Sequence, residues 1–134
     1  MFRKFKMRFA RKRDTKKVAR LFREIDEKLD PREIKDLIRE KKVVVFHRRK
    51  KIAGAFSFAL LGIAGILSML YVRKLAVDRS LRGKGVGSLL LRKIKGFSIR
   101  RKALGFFLWS LARSKKFYQK NKLRGIGRVF WWWK

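Results

Sequence analysis

Twenty-one consecutive residues, Ile52 to Val72, carry no charge in a chain where 37% of residues do. Such a run must be hidden from water. By length alone it can cross a bilayer as one helix between the basic clusters at its ends. Its composition argues for strands instead. Gly54, Gly62 and Gly65 interrupt it, and Phe56-Ser57-Phe58 steps in the manner of a strand. A hairpin of two buried strands turning near Gly62–Gly65 hides the run and brings Leu75-Ala76-Val77 in as a strand end. A membrane-spanning helix is the competing reading.

That strand end matters because it leads into a glycine loop. A short polar turn runs on to Arg82-Gly83-Lys84-Gly85-Val86-Gly87, and then Val86, Leu89, Leu90 and Ile94 recur on one helical face. The order is strand, glycine loop, helix start. Amides at the start of a helix lack intrahelical acceptors, and the helix dipole adds positive potential there. Glycines let a ligand approach the main chain, so the natural guest is a phosphate or diphosphate. The dinucleotide pattern G-x-G-x-x-G fits poorly and the NTPase phosphate loop is absent. The plain alternative is a basic glycine turn with no ligand.

Forty Lys and Arg face nine Asp and Glu, for a formal charge of +31. Eight of the acids lie between Asp14 and Glu40; beyond that only Asp78 is acidic. So large an excess calls for an external polyanion, nucleic acid first and a phospholipid surface second. No cysteine is present, which excludes disulfides and thiolate metal sites and fits a reducing, cytoplasmic interior. His47 is the single histidine, so no metal site and no Ser-His-Asp triad is expected.

The rest of the chain alternates strands and helices. Phe5, Met7 and Phe9 alternate with cations, as in a half-buried strand. Asp14 is placed to cap a helix with Val18, Leu21, Phe22, Ile25 and Leu29 on one face. Asp30, Pro31 and Glu33 open a second helix as N-cap, first residue and capping box. Val43–Phe46 is a strand, and Arg48–Lys51 is a turn. After the glycine-loop helix come a strand at Leu104–Trp109, a helix at Ala112–Lys120 and a closing strand at Gly125–Lys134. One domain, residues 1–134, is expected.

The loop resembles the acetyl-CoA loop of the GNAT superfamily of N-acetyltransferases, Q/R-x-x-G-x-G/A, in Arg82 through Gly87. That family's F-Y-x-K element is matched by Phe117-Tyr118-Gln119-Lys120, although Asn121-Lys122-Leu123 replaces the x-G-F that usually comes next. The resemblance implies an α/β (α+β) fold with a mixed central sheet in the order β-α-α-β-β-β-α-β-α-β. It implies a pantetheine arm paired with the edge of Leu75, Ala76 and Val77. The pyrophosphate is expected on the amides of Arg82, Gly83, Lys84, Gly85, Val86, Gly87 and Ser88. Tyr118 takes the place of the tyrosine that returns a proton to the departing thiolate. No general base is evident: Asp78 is better placed to cap, and Glu24, Asp26 and Glu27 lie on the first helix.

The charge then ranks the functions. The leading expectation is a GNAT-fold protein bound to structured RNA, ribosomal RNA and ribosomal proteins above all, that keeps its acetyl-CoA loop. Its RNA contacts are placed at Arg11, Lys12, Arg13, Arg48, Arg49, Lys50, Lys51, Arg100, Arg101, Lys102, Lys115, Lys116, Lys122, Arg124 and Arg128. RNA of this kind is read by shape and backbone. The first alternative is an active acetyl-CoA-dependent N-acetyltransferase; the second is a basic membrane-associated protein, with a membrane the less expected partner. Three successive tryptophans, Trp131 to Trp133, must send rings to both faces of their strand.

Overall fold

The computed structural model describes residues 5–63, 67–111 and 114–134. Among them the order is β1 (Lys6–Phe9), α1 (Thr15–Arg23), α2 (Pro31–Arg39), β2 (Val43–Arg48), β3 (Lys51–Ile63), β4 (Leu67–Val77), α3 (Val86–Arg100), β5 (Gly105–Trp109), α4 (Lys115–Lys120), β6 (Arg124–Ile126) and β7 (Val129–Trp133). The seven strands form one mixed sheet in the order β1-β2-β3-β4-β5-β7-β6. The α/β class and the element order therefore match expectation, with one addition. The closing strand is a hairpin, broken at Gly127, whose φ of +63° suits glycine.

The uncharged run is two strands. Burial holds from Ile52 to Phe58 and then ceases, so Leu60 and Leu61 stand out from the far half of β3. Gly62 lies within β3; Gly65, the other expected turn residue, falls outside the described residues. No helix among the described residues is long and apolar enough to cross a membrane.

The chain falls into two compact units, each built from two segments. The first comprises residues 1–58 and 74–90. Its core is Val18, Leu21, Phe22, Ile34 and Ile38 from the two helices, packed with Val43, Val45, Ala55 and Ala76 from the strands. Helix α1 does not start on an Asp14 side-chain cap as expected. That carboxylate reaches back instead, accepting from Arg11 N at 2.7 Å and from the Arg8 guanidinium at 2.7 Å. Burial pushes its pKa up, but the Arg8 and Arg11 bonds and the charges of Arg8 and Arg13 outweigh burial and leave it lowered. In α2, Asp30 caps as expected, accepting from Arg32 N at 2.9 Å with Pro31 first in the helix; Asp30 makes the cap without Glu33.

The second unit comprises residues 59–73 and 91–134. Strand β5 pairs antiparallel with β7 over five residue pairs, Gly105↔Trp133 to Trp109↔Val129. It pairs in parallel with β4 over three, Leu70↔Phe106 to Val72↔Leu108. Gly105 is obligatory here, because a Cβ would collide with the Trp132 carbonyl. Helix α4 is shorter than expected, starting at Lys115; residues 112 and 113 fall outside the described residues.

Candidate functional site

In the first unit, β4 runs to Val77 while β5 leaves it after Val72, so no strand among the described residues pairs with that edge at Leu75, Ala76 and Val77. On the other side, Gly54 lets β3 approach closely; a Cβ there would sit 2.8 Å from the Ala76 carbonyl oxygen. Asp78 N donates to Ala53 O at 2.7 Å and fixes where the strand ends.

The chain then makes a tight 3-10 turn at Arg79–Leu81. Asp78 caps it, accepting from Ser80 N at 3.0 Å and Ser80 Oγ at 2.8 Å. Lys17 Nζ adds an ion pair at 2.7 Å. The Lys17 bond first, then the two from Ser80, hold the Asp78 carboxyl well below the usual carboxylate range. Such an acid stays charged and is a poor proton acceptor, so Asp78 is a cap and not a base.

Beyond the turn, Gly83 and Gly85 take φ of +78° and +81°, and α3 begins at buried Val86. Leu90, Leu91 and Ile94 anchor that helix. No main-chain N–H from Gly83 to Ser88 has an acceptor among the described residues. A Cβ on Gly83 would meet nothing within 4 Å, so the main chain is open to a ligand at that residue. A diphosphate fits this arrangement: exposed donors, no Cβ in the way, and the positive end of a 15-residue helix.

The Arg82 side chain is engaged within the protein. Its Nη2 lies 2.6 Å from Glu24 Oε2 and its Nε donates to Val77 O at 3.2 Å. The guanidinium ties the loop to Glu24 and to the end of β4. It braces the main chain and leaves Lys84 as the loop's exposed cation, without an ion pair among the described residues. Glu24 is thereby occupied, and Asp26 pairs with Lys74 at 3.3 Å. Helix α1 stops at Arg23, so Glu24, Asp26 and Glu27 lie just past the first helix and not on it as expected. Of the acids considered as bases, Glu27 alone has no ion pair among the described residues, and it is exposed. The partners Lys17, Glu24 and Lys74 are invisible as site residues in the sequence; no spacing links them to the loop.

Tyr118 belongs to the second unit. It is 8% exposed, edge-on to Phe117 with centroids 5.2 Å apart, and 5.4 Å from the Phe130 ring. Desolvation pushes its phenol up to about 12. The hydroxyl has no hydrogen-bond partner among the described residues.

The cationic residues expected at RNA do not make one cluster. Arg11 to Arg13 lie in the turn before α1. Arg48 to Lys51 form the β2–β3 turn and, with Phe5, Ala53 and Leu81, line a cavity of about 500 Å³. Arg100 to Lys102 end α3, Lys115 and Lys116 open α4, Lys122 lies just beyond it, and Arg124 and Arg128 belong to the β6–β7 hairpin. His47 lies near the end of β2, opposite Lys6 and Ile52, with its Nδ1 2.9 Å from Arg49 O.

Solved structures of acetyltransferases share this fold. Ard1 from Thermoplasma volcanium superposes with a TM-score of 0.78 at 18% identity, over 98% of this chain and 97% of that one. A possible acetyltransferase from Clostridium difficile gives 0.78 at 18%, over 92% of each chain. A GNAT-family acetyltransferase from Listeria monocytogenes gives 0.73 at 16%, over 97% and 94%. No curated protein sequence matches. The sequence profile described as the acetyltransferase (GNAT) domain matches residues 39–122, well over half of the chain and inclusive of β4, the glycine loop and Tyr118. The chain belongs to the GNAT acetyltransferase family.

Proposed function

We propose that this protein is an acetyl-CoA-dependent N-acetyltransferase. One observation carries the reading: the six successive amides from Gly83 to Ser88 without internal acceptors, at the end of a strand whose edge is free among the described residues. The main chain of Leu75 to Val77 would hold the pantetheine arm by strand-like bonds, and the loop amides would hold the diphosphate. Acetyl-CoA, when bound, supplies an activated acyl carbon and a thiolate leaving group.

The chain's own residues then do two things. They align the reactants, which provides much of the acceleration in a direct transfer. And Tyr118 holds a proton. With a phenol near 12 it keeps that proton through the neutral range, so it serves as a donor to the leaving side and never as a base. The scarcity of free carboxylates bears on the acceptor. An α-amine, with a pKa of about 7.7–8.0, has roughly a tenth of its population unprotonated at about pH 7 without help, whereas a lysine side chain near 10.4 has well under a thousandth. An uncharged or acidic substrate with a free α-amine suits both this and the cationic surface, which repels polycations. Association with ribosomal or other structured RNA rests on charge alone.

The test is CoA release with a neutral hexapeptide bearing a free α-amine. Tyr118→Phe is expected to lower kcat about 10²-fold or more, in the range of general-acid effects, and to leave acetyl-CoA affinity within about twofold. Unchanged kcat removes Tyr118 from this role. Failure of the wild-type protein to bind acetyl-CoA removes the reading itself.

A further inference from the structure

The second unit is unusual in its surface. Its two segments hold no Asp or Glu, one cation in residues 59–73 and fourteen in 91–134. All the large exposed apolar side chains among the described residues lie in this unit.

Its sheet has two unlike faces. One is packed by the unit's own helices: Tyr118 of α4 meets Phe130, and Lys95 of α3 sits 5.6 Å over the Trp132 ring, beside Phe106. The other face is a run of aromatic rings. Phe107 and Trp131 are direct cross-strand partners. Tyr71 stacks on Phe107 at 4.9 Å and 12°, and Trp133 stacks on Trp131 at 6.1 Å and 25°. Trp109 lies two residues beyond Phe107 and shares the face. Trp109 is 63% exposed and Trp133 52%. Arg124, the partner of Trp131, places its guanidinium 5.7 Å over Trp133. Trp131 Nε1 is buried without an acceptor among the described residues.

Arg73 is exposed on β4, two residues beyond Tyr71 and so on the same face. We propose that this aromatic face docks single-stranded nucleic acid, with bases stacked on Trp109 and Trp133 and phosphates met by Arg124 and Arg73. Flat rings on adjacent strands, with guanidinium groups among them and no acid in the unit, supply the two things an unpaired strand needs. These are π-faces for its bases and cations for its backbone. A second copy of the chain brings the same uncompensated positive charge and is repelled. A duplex keeps its bases stacked on one another and gains only from the charge. The inference is independent of acetyl transfer, and its test reads binding alone.

The probes are a labelled single-stranded RNA of about twelve nucleotides, within the reach of such surfaces, the corresponding duplex, and heparin, a polyanion without bases. The variant Trp109→Ser/Trp133→Ser removes the two most exposed rings of the face and keeps every cation, and circular dichroism checks its fold. Loss of stacking is worth roughly 5- to 150-fold per base, so single-strand affinity is expected to fall at least tenfold. Heparin affinity and the slope of log K against log salt should stay as they were, because no phosphate contact is lost. Trp109→Phe/Trp133→Phe should recover most of the binding. Equal affinity of variant and wild type for the single strand overturns the proposal, as does a duplex bound as tightly as the single strand. So does a loss confined to vesicles of phosphatidylglycerol and phosphatidylcholine, which would assign the face to lipid.

Discussion

Gly83→Ala separates what the glycine loop needs in order to fold from what it needs in order to bind. At φ +78° the main chain of Gly83 is left-handed, and its Cβ position is open, with nothing within 4 Å. An alanine there pays only the backbone penalty, about 1–2 kcal/mol, with no clash added. For 134 residues the unfolding entropy is roughly 0.28 kcal/mol/K, so Tm should drop by about 4–7 °C. Binding is a different matter. If the amides beside Gly83 hold a diphosphate, the added methyl stands in the approach, and losing one charge-assisted bond of about 1.5–3 kcal/mol weakens acetyl-CoA roughly 10- to 150-fold. Lys84 and every other cation are kept, so the loss is not one of charge. Thermal unfolding and calorimetric titration at about 0.3 M salt, where the Debye length is about 6 Å, read the two effects separately. A lowered Tm with unchanged acetyl-CoA affinity would refute the assignment of the loop.

Two further outcomes come from contacts around that loop. Gly54→Ala puts a methyl 2.8 Å from the Ala76 carbonyl, a main-chain atom that cannot step aside, and should cost about 1–3 kcal/mol in urea unfolding; a change within a few tenths would contradict the tight approach of β3 to β4. Asp78 has a depressed folded pKa, so its stabilisation is complete above the unfolded value of about 3.9 and is lost as pH falls through the folded pKa. Asp78→Asn should therefore be less stable than wild type by about 1–2 kcal/mol at about pH 7, with the gap closing below about pH 4; a gap that is constant with pH would contradict the Lys17 pairing.

Much of the fold is legible in the sequence because its signals are local. The period of two at Phe5–Phe9, the three-four spacing of Val18, Leu21 and Phe22, and the Asp30-Pro31 start each act over a few residues. The uncharged run is harder, since burial in a sheet and burial in lipid demand the same composition; its glycines and the Phe-Ser-Phe step point to strands, and strands it is. Relations across the chain are what the sequence hides. Position alone makes Asp14 a cap of α1, but a nearby Arg8 and the Arg11 amide compete for the same carboxylate. Nothing local to Arg82 shows that Glu24, 58 residues earlier, holds its guanidinium. The aromatic face depends on the pairing of β4, β5 and β7, and no one segment announces that Tyr71, Phe107 and Trp131 are neighbours. Only the division of Trp131 to Trp133 between two faces can be read in advance, because alternation along a strand is a local rule.

The amide spectrum tests the central claim most directly. In a ¹⁵N-labelled sample at about 0.3 M salt, where exposed charges are largely screened, acetyl-CoA should shift the resonances of Gly83 to Ser88 most, with Leu75 and Val77 next. Shifts that leave those amides still and gather instead on Arg48 to Lys51 or along α4 would mean that the anion binds by charge alone, and that the glycine loop is only a turn.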